Sequence, residues 1–165
     1  MKRVFLSILI PIFLPYYAHA IVRDLGCCKI EFSVPAGWIV DPSGYIVRTG
    51  EVYGKYGHPV DSLSFIAIKK SDLSSQNFDT WVSQAVNEEV GTGKVKDGEP
   101  CKTADNRNVI VKILSYSSHS EVDGYFEYEN CFVIASLYTK SPSSFEPSYP
   151  DFRQLIKSLK LAHIN

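Results

Sequence analysis

The chain has 165 residues, 17 of them basic and 18 acidic, and 45% of it is apolar. That is length and apolar content enough for one domain with a real core. Lys and Arg are nowhere concentrated, which argues against nucleic acid as a partner, because phosphate binding needs clustered positive charge.

Met1-Lys2-Arg3 opens the chain with two positive charges, and an apolar run follows from Val4 to Leu14, broken only by Ser7 and Pro11. Ala18-His19-Ala20 then offers a small-x-small cleavage pattern. This is the order of a secretory signal peptide, and the run of about 11 apolar residues is short of the roughly 20 that span a bilayer. The expectation is a cleaved leader over residues 1–20 and a single domain over residues 21–165, periplasmic or secreted, with no stable membrane span. Leu25-Gly26-Cys27 is not read as a lipidation site, because Arg23 and Asp24 separate the cysteine from the apolar run. Removing the leader leaves 15 basic against 18 acidic residues, a net charge of −3.

Within the domain, Cys28 to Val34 alternates apolar and polar residues with the period of a half-buried strand, and Pro35-Ala36-Gly37 ends it with turn chemistry. Trp38 to Val40 begins a second strand, interrupted at Asp41-Pro42-Ser43-Gly44 and resumed at Tyr45-Ile46-Val47. Gly50 to Asp61 is rich in Gly and Tyr and reads as a long hairpin tip or surface loop. Ser62 to Lys69 is the next strand. Ser74 or Ser75 can cap a helix whose Phe78, Trp81, Val82, Ala85, Val86 and Val90 recur at steps of three and four. Gly91-Thr92-Gly93 stops it, and Val95 to Pro100 is a polar connection.

Asn108 to Ser115 is a long strand. Ser117 to Gly124 reads as a turn-rich link, followed by strands at Tyr125 to Glu129 and Cys131 to Thr139 with a tight turn or bulge at Asn130. Ser141-Pro142-Ser143-Ser144 breaks the sheet. Pro150 then sits in the first turn of a second helix, where its missing N–H costs nothing, and Phe152, Leu155, Ile156 and Leu159 form its apolar stripe. Strands, helix, strands, helix without regular βαβ alternation predict an α+β sandwich, a mostly antiparallel sheet flanked by two main helices.

Cys27, Cys28, Cys101 and Cys131 all follow the leader, and an even count in an exported chain favours disulfides. A bond between adjacent Cys27 and Cys28 would close a strained ring. The strand geometry favours Cys101–Cys131, a loop of about 30 residues that chain entropy makes worth roughly 3–4 kcal/mol. That choice leaves the state of Cys27 and Cys28 open, and pairing each of them with one of the other two is the competing solution.

Two segments resemble a known family. Phe32-Ser33-Val34-Pro35-Ala36-Gly37-Trp38 is similar to the opening strand and turn of the PsbP/DcrB-like superfamily. Pro150-Asp151-Phe152 through Leu155-Ile156-Lys157-Ser158-Leu159-Lys160 is similar to its closing helix. The resemblance spans most of the domain. It implies a sheet with helices on both faces and, usually, no enzyme activity, since members serve as assembly factors, chaperones, envelope proteins and adaptors. No catalytic residues carry over. The Tyr-rich segment from Tyr45 to His58 departs from the shared pattern, which marks it as the place to look for what is particular to this chain.

Chemistry of other kinds is sparse. His58, His119 and His163 have no acidic or cysteine neighbour at ligand spacing, so no metal or other cofactor is expected. Gly91-Thr92-Gly93-Lys94 lacks the spacing of a phosphate loop and follows a helix rather than a strand, and no Gly-x-Ser-x-Gly elbow occurs. Glu88-Glu89 and Asp123 could form a carboxylate group, but nothing in the sequence brings them together, and Glu88-Glu89 reads as the polar face of the first helix. Trp38 and Trp81 read as core.

Tyr45, Tyr53 and Tyr56, with His58, lie among Gly, Pro and charged residues, where burial is hard to arrange. Tyrosine gives large contact area at low entropic cost, so these four are the candidate binding residues. The function expected is a non-enzymatic protein-binding domain, in its most specific form an immunity protein that neutralises a toxin delivered into the periplasm. The alternative is an envelope maintenance or assembly factor of the DcrB-like kind, holding a client or small ligand in a groove between sheet and helix beside Trp38.

Overall fold

A computed structural model describes residues 20–49, 61–73 and 77–162. Their strands, in chain order, are β1 (Ala20–Asp24), β2 (Lys29–Ser33), β3 (Trp38–Val40), β4 (Ile46–Arg48) and β5 (Asp61–Lys69), then β6 (Lys94–Asp97), β7 (Cys101–Lys102), β8 (Asn108–Ser115), β9 (Ser120–Tyr128), β10 (Cys131–Thr139) and β11 (Lys160–Leu161). Helix α1 (Phe78–Val90) lies between β5 and β6, and α2 (Pro142–Ser158) between β10 and β11. The fold is the α+β sandwich that the element order predicts. An eight-stranded antiparallel sheet runs β3-β4-β5-β10-β9-β8-β6, with β7 paired to the other end of β8, and a small sheet runs β1-β2-β11.

Three layers result. On one face of the large sheet, α2 and the small sheet enclose the main core, where Phe32, Phe126, Val133, Phe152, Leu155 and Ile156 meet. On the other face α1 lays Trp81, Val82 and Val86 on Tyr125 and Phe132. Trp81 stacks on Phe132 at 4.8 Å and meets Tyr125 edge-on at 5.7 Å. Burial of aromatic area of this kind is what holds a 13-residue helix that would be marginal alone.

Several boundaries differ from the sequence expectation. Asn77, whose side chain accepts a 2.9 Å bond from the Thr80 N–H, caps α1; Ser74 and Ser75 lie outside the described residues. The resumed strand at Ile46 doubles back, so that β3 and β4 form a hairpin. The polar connection after α1 is strand β6, all four residues of which are exposed, and it pairs with β8 through its backbone. The turn-rich link is shorter than read, since β9 already begins at Ser120.

Helix α2 begins at Pro142 rather than Pro150 and contains Pro147 and Pro150 in its interior. Each interior proline removes a backbone bond, a loss of about 3 kcal/mol or more in an isolated helix. The burial of Phe145, Phe152, Leu155 and Ile156 against the sheet offsets it, and Ser141 caps the start by accepting from the Ser144 N–H. The apolar periodicity after Pro150 was visible in the sequence; the tertiary contact that extends the helix upstream was not.

The disulfide also differs. Cys131 bonds to Cys27, at a Cα–Cα distance of 5.9 Å across 104 residues of chain, while Cys101 and Cys28 are unpaired. Cys101 faces α2 from the sheet edge, where it sits close to Arg153 and Lys157. The expected Cys101–Cys131 bond is thereby replaced by one that ties the β1–β2 turn to the start of β10. One bond does what strand pairing does not, for the small sheet shares no ladder with the large one among the described residues.

Two outcomes follow. Cys131→Ser should lower stability by about 3–5 kcal/mol, the range expected for opening a loop of this length, measured by urea denaturation. Gly124 sits in β9 where a Cβ would come within 3.1 Å of Val109, and 3.2 Å of Ile156 and Phe152. Gly124→Val should overpack that contact and lower stability by about 1–3 kcal/mol in the same assay.

Candidate functional site

Of the candidate binding residues, the structure describes Tyr45; Tyr53, Tyr56 and His58 lie outside the described residues. Tyr45 closes the β3–β4 turn, which is organised by buried Asp41. The Asp41 carboxylate accepts from the Tyr45 N–H at 2.9 Å and from the Ser43 hydroxyl at 2.7 Å. Gly44 takes a φ of 91°, and its carbonyl accepts a 2.6 Å bond from Arg23 of β1. These bonds tie the turn at Asp41 and Gly44, and it holds Tyr45 with 40% of its surface in solvent. Ile39 and Val40 of the same hairpin are 50% and 40% exposed. Strand β3 ends the large sheet, and its outer edge has no strand partner among the described residues.

Trp38, on the other hand, is committed to the interior. Its Nε1–H donates to Asp151 Oδ2 at 2.9 Å, and the Arg48 guanidinium lies 4.9 Å from its ring centroid. Arg48 in turn donates to the same Asp151 oxygen at 3.1 Å and to the Ser148 hydroxyl at 2.9 Å. This cluster fastens the β3–β4 hairpin to α2. Grooves lie elsewhere among the described residues. One of about 580 Å³ runs along the β6–β7–β8 edge past Gly98, Cys101 and Val111, and one of about 390 Å³ lies between α1 and Lys112. Neither is lined by Trp38.

A third grouping is assembled by the sheet and α1. Antiparallel register aligns Lys112, Asp123 and Ser136 across β8, β9 and β10. Lys112 turns its ammonium to Asp97 at the sheet edge instead of to Asp123. Asp123 is left fully buried, its Oδ2 accepting from the Tyr125 hydroxyl at 3.3 Å and Ser136 and Glu89 near its carboxyl. Desolvation first, and the nearby Glu89 carboxylate second, raise its pKa to about 8. Glu121, two residues earlier on the same face, is raised to about 7 by burial and again by Glu89.

The helix thus brings Glu89 to Asp123, a juxtaposition the sequence left unmade. The available signal was the alternation of Glu121, Asp123 and Tyr125 against Val122, Gly124 and Phe126, which marks a strand with two distinct faces. His119, expected to be isolated, has its Nε2 3.6 Å from Glu121 and its ring stacked 4.2 Å from Tyr116. Burial holds the imidazole below its usual pKa, so at neutral pH this contact joins a neutral ring to a partly protonated acid and is no strong ion pair. The cluster can hold protons at neutral pH. Neither groove is lined by Asp123 or Glu121.

The sulfurs of Cys27, Cys28 and Cys131 also gather, all within 4.8 Å of one another. A metal would need them as thiolates, and the Cys27–Cys131 bond removes two of the three.

These layers and their order have a counterpart among solved structures. The solution structure of cyanobacterial PsbP (CyanoP) from Synechocystis sp. PCC 6803 superposes with a TM-score of 0.52 at 14% identity, covering 95% of this chain and 99% of that one. The fold is PsbP-like. A protein of unknown function from Pseudomonas aeruginosa, PA94, described as a putative regulator, aligns with a TM-score of 0.39 at 12% identity, over 82% of this chain and 92% of its own. No protein-family model and no curated protein matches the sequence. Among the described residues of this PsbP-like fold, no helix is long and apolar enough to cross a membrane.

The raised acids set a pH dependence. Asp123 keeps its proton in the folded state up to about pH 8, whereas the unfolded chain releases it near pH 4. The folded state therefore binds more protons across that window, and its stability falls as pH rises from about 4 to about 8. Asp123→Asn removes the part of this dependence that Asp123 sets while keeping an acceptor for Tyr125. Its melting temperature should exceed that of the wild type at pH 8.5, and the gap should shrink towards pH 4.5, as read by thermal circular dichroism.

Proposed function

We propose that this chain is an exported, non-enzymatic protein-binding domain that acts in the periplasm or in the medium. The observation that carries the reading is the β3–β4 hairpin, where Ile39, Val40 and Tyr45 are all at least 40% exposed at a sheet edge with no strand partner among the described residues. Exposed apolar groups on a sheet edge are a template for association unless a partner covers them. The Tyr-rich segment with Tyr53, Tyr56 and His58 follows β4 directly in sequence, and with Tyr45 it forms the proposed contact surface. A disulfide to buried Cys131 suits an oxidising compartment.

In its most specific form the domain is an immunity protein, occluding a toxin delivered into the periplasm. A net charge of −3 after loss of the leader favours a basic cleft on that partner. The alternative, an envelope factor of the DcrB-like kind with a ligand groove, has support from the 580 Å³ groove at the β6–β7–β8 edge, whereas the place first expected for it, beside Trp38, is filled by Asp151 and Arg48.

The test is affinity capture from envelope extract under non-reducing conditions, followed by reconstitution with the purified partner. One bait is the wild-type domain, and the other carries Ile39→Ser, Tyr45→Ser, Tyr53→Ser and Tyr56→Ser. The expected outcome is one stoichiometric protein partner whose complex is lost with the substituted bait. Equal binding to both baits would remove the hairpin from the interface, and no partner for either would move the weight to the ligand groove.

A further inference from the structure

The Cys27–Cys131 bond has a third sulfur beside it. Cys28 Sγ lies within 4.8 Å of both bonded sulfurs, and it is a free thiol. Cys27 and Cys28 occupy the turn between β1 and β2, which is held by a 2.9 Å bond from the Leu25 N–H to the Cys28 carbonyl and by Gly26 at a φ of 85°. Being adjacent in the chain, the two cysteines can exchange places against Cys131 through a rearrangement of this turn alone. Cys131 itself stays at the start of β10, fully buried, paired in register with Tyr128 and Lys69.

We propose that these three residues form an internal thiol–disulfide exchange site, in which the Cys28 thiolate attacks Cys131 Sγ. A Cys28–Cys131 bond forms, the Cys27–Cys131 bond breaks, and Cys27 departs as a thiolate that takes up the proton Cys28 gave up. Nothing is oxidised or reduced overall, so no outside reagent is needed. The same step run backwards restores the first isomer. Because Cys131 is buried, a thiol from solution reaches it poorly, whereas a tethered one reacts at high effective concentration.

The exchange carries the free thiol from position 28 to position 27 while the β1–β2 turn remains tied to β10. The cross-link is in that sense one of two alternative staples, and the surplus thiol lies beside both bonded sulfurs. Burial, and then the Asp24 carboxylate on β1, hold the Cys28 thiol above its usual pKa, which makes the thiolate scarce and the exchange slow near neutrality. This inference is independent of the protein-binding reading.

The test uses the full chain purified from its exported fraction, in a Cys101→Ser background so that only the three sulfurs remain. The protein is equilibrated without reductant at pH 8.5, quenched in acid, alkylated, and mapped by fragment mass spectrometry. Fragments of both the Cys27–Cys131 and the Cys28–Cys131 isomers are expected. A second variant, Cys27→Ser with Cys101→Ser, should oxidise to a Cys28–Cys131 bond with no titratable thiol left and a melting temperature within a few degrees of its Cys28→Ser counterpart. A single Cys27–Cys131 isomer after equilibration would overturn the proposal. So would two persistent thiols in a Cys27→Ser, Cys101→Ser protein that circular dichroism shows to be folded. If that variant does not fold, the isomer map of the Cys101→Ser protein decides alone.

Discussion

Strand β9 has to satisfy two faces at once, and much of the molecule follows from how it does so. It lies between β8 and β10 near the middle of the large sheet. Towards α2 it presents Val122, Gly124 and Phe126, with Gly124 so close to Phe152 and Ile156 that a side chain there would displace them. Towards α1 it presents Glu121, Asp123 and Tyr125. One face is thus built for close apolar packing, and the other combines an aromatic platform for Trp81 with acids whose cross-strand neighbour Lys112 turns its ammonium to Asp97. Burial on both faces locks the register, since a slip of one residue would drive Asp123 into the main core and Phe126 out of it.

The two helices solve different problems against this sheet. Helix α1 is capped by Asn77 and docks chiefly through aromatic contacts with Phe132 and Tyr125. Helix α2 tolerates two interior prolines because Phe145, Phe152, Leu155 and Ile156 are buried beneath it and because Arg48 and Asp151 clamp it to the β3–β4 hairpin. The clamp has a consequence for function. It uses the indole of Trp38 on the inside of the hairpin, and so leaves Ile39, Val40 and Tyr45 as the groups that the same hairpin offers to solvent.

The internal acids are unusual for a scaffold. A buried acid that holds its proton at neutral pH costs less than a buried charge, which accounts for the accommodation of Asp123 in the sheet while the adjacent Lys112 pairs with Asp97 instead. The three-sulfur cluster sits in a different part of the molecule, at the junction of the two sheets. There a covalent bond takes the place of the missing ladder between them. Both features are local solutions to burial, one electrostatic and one covalent.

The sequence by itself determined the class of the fold and most of its elements. Asn108 to Ser115 and Cys131 to Thr139 alternate so regularly that the strands β8 and β10 were read with their full bounds, and the stripe from Phe78 to Val90 announced α1, because periodicity is a local property of the chain. Local pattern could not supply what depends on distant neighbours. Gly124 looked like a turn because its reason for being glycine is the approach of Ile156 and Phe152, and Pro150 looked like a helix start because the burial that carries α2 through it lies on other strands. Glu89 and Asp123 meet only when α1 crosses β9, and Cys131 selects Cys27 over Cys101 only when the β1–β2 turn packs against the start of β10. Which residues are apolar and how they recur was written in the chain; which of the polar and sulfur-bearing ones meet was decided by packing, since contact between residues far apart in sequence depends on the relative placement of whole elements.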